Sequence, residues 1–224
     1  SLLHNDVAGI YEDRSGTMWI CTRGGLSEVV PGEPRRFKNY LNDPNEMHAV
    51  EGNFVSEILQ DRHSNRWVAT YGRGLNKLDA NGTFKRYLHP GDSSRTQENW
   101  IFCFVEDRDG LFWLSTMAGL VSFDSQSGQF TRHKIKQLHN AHIFGIHVDT
   151  RNDLWLSTGI GLVKFSPTAQ SFTRFDENYG IGFTELRSGF FKNTKSKLFL
   201  GGLDGFTEFD PDSIPGVSHP PEIA

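Results

Sequence analysis

Cysteine, net charge, long apolar runs and catalytic signatures are all scarce in this sequence, and each shortage excludes something. Two cysteines, Cys21 and Cys103, stand 82 residues apart in apolar strand-like segments. They read as buried free thiols, because a free Cys behaves as a small hydrophobe, and two of them define no redox compartment. The 23 basic and 27 acidic residues leave a formal net charge of −4, without the basic footprint of a nucleic-acid binder. The longest apolar stretch near Trp100, IFCFV, falls far short of the roughly 18 residues of a membrane-spanning helix. The opening SLLHND lacks the pattern of a signal peptide.

Chemistry-bearing motifs are missing as well. There is no G-x-S-x-G, no Cys–His constellation and no phosphate-cradling loop. Of the nine histidines, His139 and His142 are three apart in a connector with no third ligand nearby, while His63, His133 and His147 are scattered over a turn and strands. The expectation is therefore no metal, no cofactor and no catalytic residue. What is abundant is glycine, at 23, and phenylalanine, at 18, with 5 tryptophans. That composition suits short aromatic strands joined by tight turns, and 224 residues suffice for one domain or a run of small units.

Aligning the chain on tryptophan reveals five copies of one unit. Trp19, Trp67, Trp113, Trp155 and, in the fifth copy, Phe199 recur at spacings of 48, 46, 42 and 44. Six residues earlier stand Asp13, Asp61, Asp107, Asp149 and Asn193; three later stand Thr22, Thr70, Thr116, Thr158 and Gly202. Gly25, Gly74, Gly119, Gly161 and Gly205 follow, each before Leu or, in the last copy, Phe206. A period of 40–50 residues signals a repeat architecture.

Each unit reads as up to four strands. The first runs through VAGIYED, VSEILQD, IFCFVED, IFGIHVD or LRSGFFKN, and the second is MWICT, RWVAT, FWLST, LWLST or LFLGG. The third is LSEVV, LNKLD, LVSFD, LVKFS or FTEFD, and the fourth FKNY, FKRY, FTRH or FTRF, with no clear fourth strand in the last unit. No helical period competes with these β-branched and aromatic runs. Between the first two strands, the Asp side chain can accept backbone N–H groups at the start of a type I turn, and Gly16 supplies the left-handed residue that a short hairpin needs; Ser64 and Asn152 stand in for that Gly. Five such aspartates describe a fold, since an active site needs only one.

The tryptophan strands are apolar on both faces, and the position after each apolar pair is small: Cys21, Ala69, Ser115, Ser157 and Gly201. Small sheets stacked face to face with Trp as the wedge form a β-propeller. The fold class expected is all-β, a propeller of about five four-stranded blades with the last incomplete, as a piece of a larger propeller.

The pattern I-x-E-D-R-x-G-x-x-W-I-x-T-x-x-G-L with a following F-x-R-Y resembles the two-component regulator propeller repeat over residues 7–210, most strongly in units 1, 3 and 4. Unit 2 departs at His63-Ser64-Asn65 and unit 5 at Phe199 and Gly202. The resemblance implies blades at about 7–40, 55–88, 101–134, 143–175 and 186–210, then a Pro-rich linker at 211–224 leading to a β-sandwich. It implies the periplasmic sensor region of an inner-membrane histidine kinase or diguanylate cyclase receptor. Other propeller repeats fit less well: the sialidase Asp-box has a shorter Asp-to-aromatic gap, the quinoprotein repeat is spaced differently, and no strand ends in Trp-Asp. Streptogramin-lyase-like propellers share a G-x-x-W strand and supply the enzyme alternative; a purely structural spacer is the third reading.

With the first strand of each unit innermost, the loops after Thr and the connectors between units share one face. That face collects Arg23, Tyr71, Arg73, Met117, Ile160 and Asp204, and the connectors add Asn53, Phe54, Asn99, Trp100, His142, Glu185 and Arg187. Loops on a rigid scaffold are the usual place for recognition. Arg23, Tyr71, Arg73, Trp100, His142 and Arg187 are the candidate ligand-binding residues, since guanidinium groups and rings suit a sugar or an acidic ligand. Asn5, Asn53 and Asn99, two residues before each first strand, read as turn caps. Partners expected are a small-molecule or oligosaccharide ligand, adjacent propeller or β-sandwich domains of the receptor and, to cover the terminal faces, a homo-oligomer.

Overall fold

The computed structural model describes residues 1–32, 36–40, 54–90, 97–138, 141–175, 186–192 (backbone), 197–202 and 205–214. Among the described residues, nineteen strands form five antiparallel sheets of propeller-blade type. Blade 1 is β1 (Val7–Glu12), β2 (Met18–Thr22), β3 (Gly25–Val30) and β4 (Arg36–Tyr40). Blade 2 is β5 (Val55–Gln60), β6 (Arg66–Thr70), β7 (Gly74–Leu78) and β8 (Phe84–Tyr87). Blade 3 is β9 (Ile101–Glu106), β10 (Leu111–Thr116), β11 (Gly119–Asp124) and β12 (Gln129–Arg132). Blade 4 is β13 (Ile143–Val148), β14 (Leu154–Thr158), β15 (Gly161–Ser166) and β16 (Ser171–Phe175); blade 5 has three strands, β17 (Leu186–Lys192), β18 (Leu198–Gly202) and β19 (Gly205–Phe209). Each sheet is a meander in chain order, and the smaller fifth blade is the one whose sequence offers no fourth strand.

The chain divides into two compact units, Ser1–His133 and Lys134–Ala224. In the first, the opening strands β1, β5 and β9 lie side by side, and in the second β13 lies beside β17, so the first strand of each blade is the inner one. Each first strand carries a bulge near its start, at Val7/Gly9, Val55/Glu57, Ile101/Cys103, Ile143/Gly145 and Leu186/Phe190.

Two cores fill the junctions of the first unit. Trp19, Cys21 and Leu26 of blade 1 pack on Val55, Ile58, Val68, Leu78 and Phe84 of blade 2. Trp67, Ala69 and Leu75 of blade 2 pack on Ile101, Phe104, Phe112, Leu114, Val121 and Phe123 of blade 3. In the second unit Trp155, Leu162 and Phe175 meet Leu200, with Phe209 and Ile214 alongside. The wedge role of the tryptophans is thus realised: Trp19, Trp67, Trp113 and Trp155 are all buried. At each of these three junctions the earlier blade offers a forward face built on Trp, and the later blade a rear face that receives it.

At the Asp turn, one carboxylate does two jobs. Asp13 Oδ1 accepts the N–H groups of Ser15 (2.9 Å) and Thr17 (3.0 Å), and Oδ2 accepts the Trp19 indole N–H at 3.0 Å. Asp61, Asp107 and Asp149 repeat this clasp with Trp67 at 2.8 Å, Trp113 at 2.8 Å and Trp155 at 3.1 Å. The turn residues behave as their positions require: Gly16, Ser64, Gly110 and Asn152 all have positive φ. Asn193 lies outside the described residues.

Candidate functional site

The loop face is assembled by two repeated devices. The first is the recurrent Thr. Thr22, Thr70, Thr116 and Thr158 donate their hydroxyls to the carbonyls of Gly25, Gly74, Gly119 and Gly161 at 2.6–2.9 Å. In three blades the same Oγ also accepts an N–H from inside the loop, at Gly24, Ala118 and Ile160. The second device ties each loop to the connector that enters its blade. The N–H groups of Arg23, Tyr71, Met117 and Gly159 donate to the carbonyls of Asp6, Phe54, Trp100 and His142. Connector residues just before the first strand are thereby held beside the loop after the second.

On this frame the first unit carries a continuous aromatic group. The Phe54 and Tyr71 rings stack at 5.0 Å, and Tyr71 meets Trp100 at 4.8 Å and Phe102 at 5.3 Å, edge to face. Tyr71 and Trp100 also form an isolated antiparallel bridge. Gly72 has positive φ, and a Cβ there would sit 3.2 Å from the Trp100 ring, so only glycine lets the loop lie over the indole. At one end Arg23 places its guanidinium 5.3 Å from the Phe54 ring centroid and pairs with Asp6 at 2.8 Å. Met117, on the next loop, is exposed.

The six candidate residues fall into three groups. Arg23, Tyr71 and Trp100 belong to one cluster, with Arg23 and Phe54 bridging it to blade 1; Arg73 is exposed in the loop that Tyr71 begins. His142 is exposed on the second unit, its ring stacked over Phe144 at 6.2 Å. Arg187 lies in β17, where only the backbone is described. Asn53, His139, Glu185 and Asp204 fall outside the described residues. Asn99 is buried and accepts the N–H of His89, ten residues earlier, at 2.9 Å.

The opposite end of the blades is occupied by structural electrostatics. Burial alone would raise the Asp13 carboxyl, but hydrogen bonds from Ser15, Trp19, Arg66 and Thr17 hold it well below the usual carboxylate range. Asp61 is lowered against burial by Asn65, Trp67 and His63, and Asp149 by Lys164, Asp153 and Trp155. Arg66 reaches from blade 2 to Asp13 at 2.7 Å and lies over the Trp19 ring; in the second unit Lys164 takes both places toward Asp149 and Trp155. The Asp–Trp clasp and the Thr lock were signalled in the sequence by fixed spacing alone. Their partners become visible only in three dimensions.

Among the described residues no group of three or more His, Cys, Asp or Glu side chains is placed to hold a metal ion, and no helix is long and apolar enough to cross a membrane.

Comparison with known proteins bears on this arrangement. The two component regulator propeller family matches residues 1–24 and 97–118, stretches that include the clasped turns of blades 1 and 3. The extracellular domain of a hybrid two component system from B. thetaiotaomicron is 25% identical, with a TM-score of 0.76 over 92% of this chain and 28% of its own. Histidine kinase P4 of Formosa agariphila is 29% identical over 85 residues, 34% of this chain and 6% of that protein. The chain thus spans a small part of either relative. Virginiamycin B lyase from Staphylococcus aureus is 14% identical with a TM-score of 0.65, over 92% of this chain and 70% of its own, a likeness of fold alone. The resemblance to sensor propellers is the stronger one. This chain is a propeller-like domain related to the extracellular sensor domains of bacterial two-component systems.

Proposed function

We propose that this domain is a non-enzymatic recognition module in the periplasmic part of a bacterial signalling receptor, taking its ligand or partner domain on the loop face. The observation that carries this reading is the Arg23–Phe54–Tyr71–Trp100 cluster. It draws residues from blades 1, 2 and 3 onto loops held by the Thr hydroxyls and connector carbonyls. Such pre-ordered loops present rings and guanidinium groups at little entropic cost, which suits a small molecule, an oligosaccharide or an adjacent receptor domain. The opposite end offers less, because its aspartates and their cations satisfy one another.

Titration calorimetry of the chain against a panel of neutral and acidic oligosaccharides tests the proposal. The expected result is binding that Arg73→Ala or Tyr71→Ala weakens at least tenfold with the fold intact by circular dichroism. Turnover of a glycan or cyclic peptide, abolished by Arg73→Ala, would instead make the loop face an active site.

A further inference from the structure

The rear face of blade 1 is built like the rear faces inside the chain. Val7, Ile10 and Met18 occupy the positions held by Val55, Ile58 and Arg66 in blade 2 and by Ile101, Phe104 and Phe112 in blade 3. Inside the chain the apolar members of this set are closed off: Val55 and Ile101 are 0% exposed, Ile58 2% and Phe104 3%. In blade 1, Val7 is 41% exposed, Ile10 66% and Met18 39%. The outward positions are thus as apolar as a blade junction demands.

A polar group on the same face says what covers it. At each described junction, the backbone N–H of the residue after the clasped Asp donates to a side chain of the following blade or, in the second unit, of the segment after it. Arg14 donates to Gln60 Oε1 at 2.9 Å, Arg62 to Glu106 Oε2 at 2.8 Å and Thr150 to Asp212 Oδ1 at 3.1 Å. Gln60 and Glu106 are the last residues of their first strands, and that position in blade 1 is Glu12. Glu12 is exposed, and among the described residues nothing donates to its carboxylate. At the Glu106 junction the Arg62 guanidinium adds an ion pair at 2.7 Å, so an Asp-Arg turn offers both a backbone donor and a cation to such a carboxylate.

We propose that the Val7–Ile10–Met18 face, with Glu12 as its latch, is the docking surface for a further blade of this same repeat, one that presents an Asp-clasped Trp and the N–H after that Asp. A second copy of the chain is the weaker occupant: its forward face at the other end of the repeats belongs to blade 5, where Phe199 replaces Trp and Asn193 replaces Asp, so it offers no Asp-clasped Trp. The related sensor domain, of which this chain covers 28%, has length enough for many more such units.

The test compares the chain with one extended ahead of Ser1 by a copy of residues 101–136, a blade with the clasped Asp107 and Trp113. Ten residues would then join the new blade to Val7, as ten join Arg132 to Ile143. Docking predicts that amide exchange in Val7–Glu12 slows at least tenfold. It also predicts that Glu12→Ala is neutral in the original chain but lowers the melting temperature of the extended one by roughly 2–4 °C, the shift expected when one buried hydrogen bond is lost in a domain of this size. A copy of residues 55–90 serves as a second appended blade. The proposal is overturned if neither blade protects Val7–Glu12, or if Glu12→Ala acts equally in both backgrounds. It is also overturned if the original chain self-associates through this face, seen as a dimer in sedimentation that Ile10→Asp dissolves.

Discussion

Asp107 commits Oδ1 to the N–H groups of Asp109 and Leu111 and Oδ2 to the Trp113 indole, so one side chain fixes both the turn and the wedge. Trp113→Phe keeps most of the apolar area but leaves a buried carboxylate oxygen without its donor, at a cost of about 1–3 kcal/mol. Asp107→Asn puts an amide N–H₂ opposite the indole N–H, donor against donor, and should cost a similar amount. In the double variant the amide faces a phenyl ring and the conflict disappears. The two losses should therefore fall short of additivity by about 0.5–3 kcal/mol in urea unfolding, as expected of contacting residues. The fifth repeat already carries that combination, Asn193 with Phe199. Strictly additive losses would mean that the indole bond contributes nothing beyond packing.

At the scale of the strand, the junction between β5 and β9 differs from the others in one residue. Where blades 1, 3 and 4 place Gly9, Cys103 and Gly145 after the bulge, blade 2 places Glu57, whose Oε2 accepts the Phe104 N–H at 2.7 Å. Burial pushes this carboxyl up to about 7, against the lowering effect of the Phe104 bond. Its folded pKa lies above its unfolded one, so its contribution to stability is whole below about pH 4.5 and is lost as pH rises through 7. Asp13, Asp61 and Asp149 act the other way, contributing above about pH 4 and losing that contribution on further acidification. Burial lowers His133, which costs stability as pH falls below about 6.5 and masks part of the Glu57 effect. The informative measurement is the difference between parent and Glu57→Gln, which retains an acceptor for Phe104. The variant should match the parent near pH 4 and exceed it by about 1–3 kcal/mol at pH 8; a difference independent of pH would show that Glu57 is not protonated in the fold. The strands themselves were legible because Trp, the two-sided apolar pairs and the glycine recur at fixed register. The blade-to-blade contacts were not: Arg66 meets Asp13 53 residues away, and Arg14 meets Gln60 46 away, pairings that no spacing within a repeat encodes. The loop cluster was half legible, since Tyr71 and Trp100 could be assigned to one face, whereas their contact depends on the bridge and on Gly72.

For the molecule as a whole, the two compact units are unequally provided with blade junctions. Ser1–His133 holds three four-stranded sheets and the two cores around Trp19 and Trp67. In Lys134–Ala224, Trp155 is covered by Leu200, Phe209 and Ile214, which belong to a three-stranded sheet and the segment after it. In that sheet Phe206 is largely exposed. Repeat proteins draw stability from nearest-neighbour interfaces, so they open first where an interface rests on the smallest unit. Releasing the Trp155 indole requires only that blade 5 separate, whereas releasing Trp67 requires two complete blades to part. Both indole N–H groups are bonded to a buried Asp, at 3.1 Å and 2.8 Å, and can be followed separately by NMR hydrogen exchange on the intact chain. The Trp155 indole should exchange at least tenfold faster than that of Trp67, and Leu200→Ala should speed Trp155 while leaving Trp67 unchanged. If both indoles exchange at one rate and Leu200→Ala speeds them equally, the chain opens as a single cooperative body, and the thinner fifth blade is not its weak point.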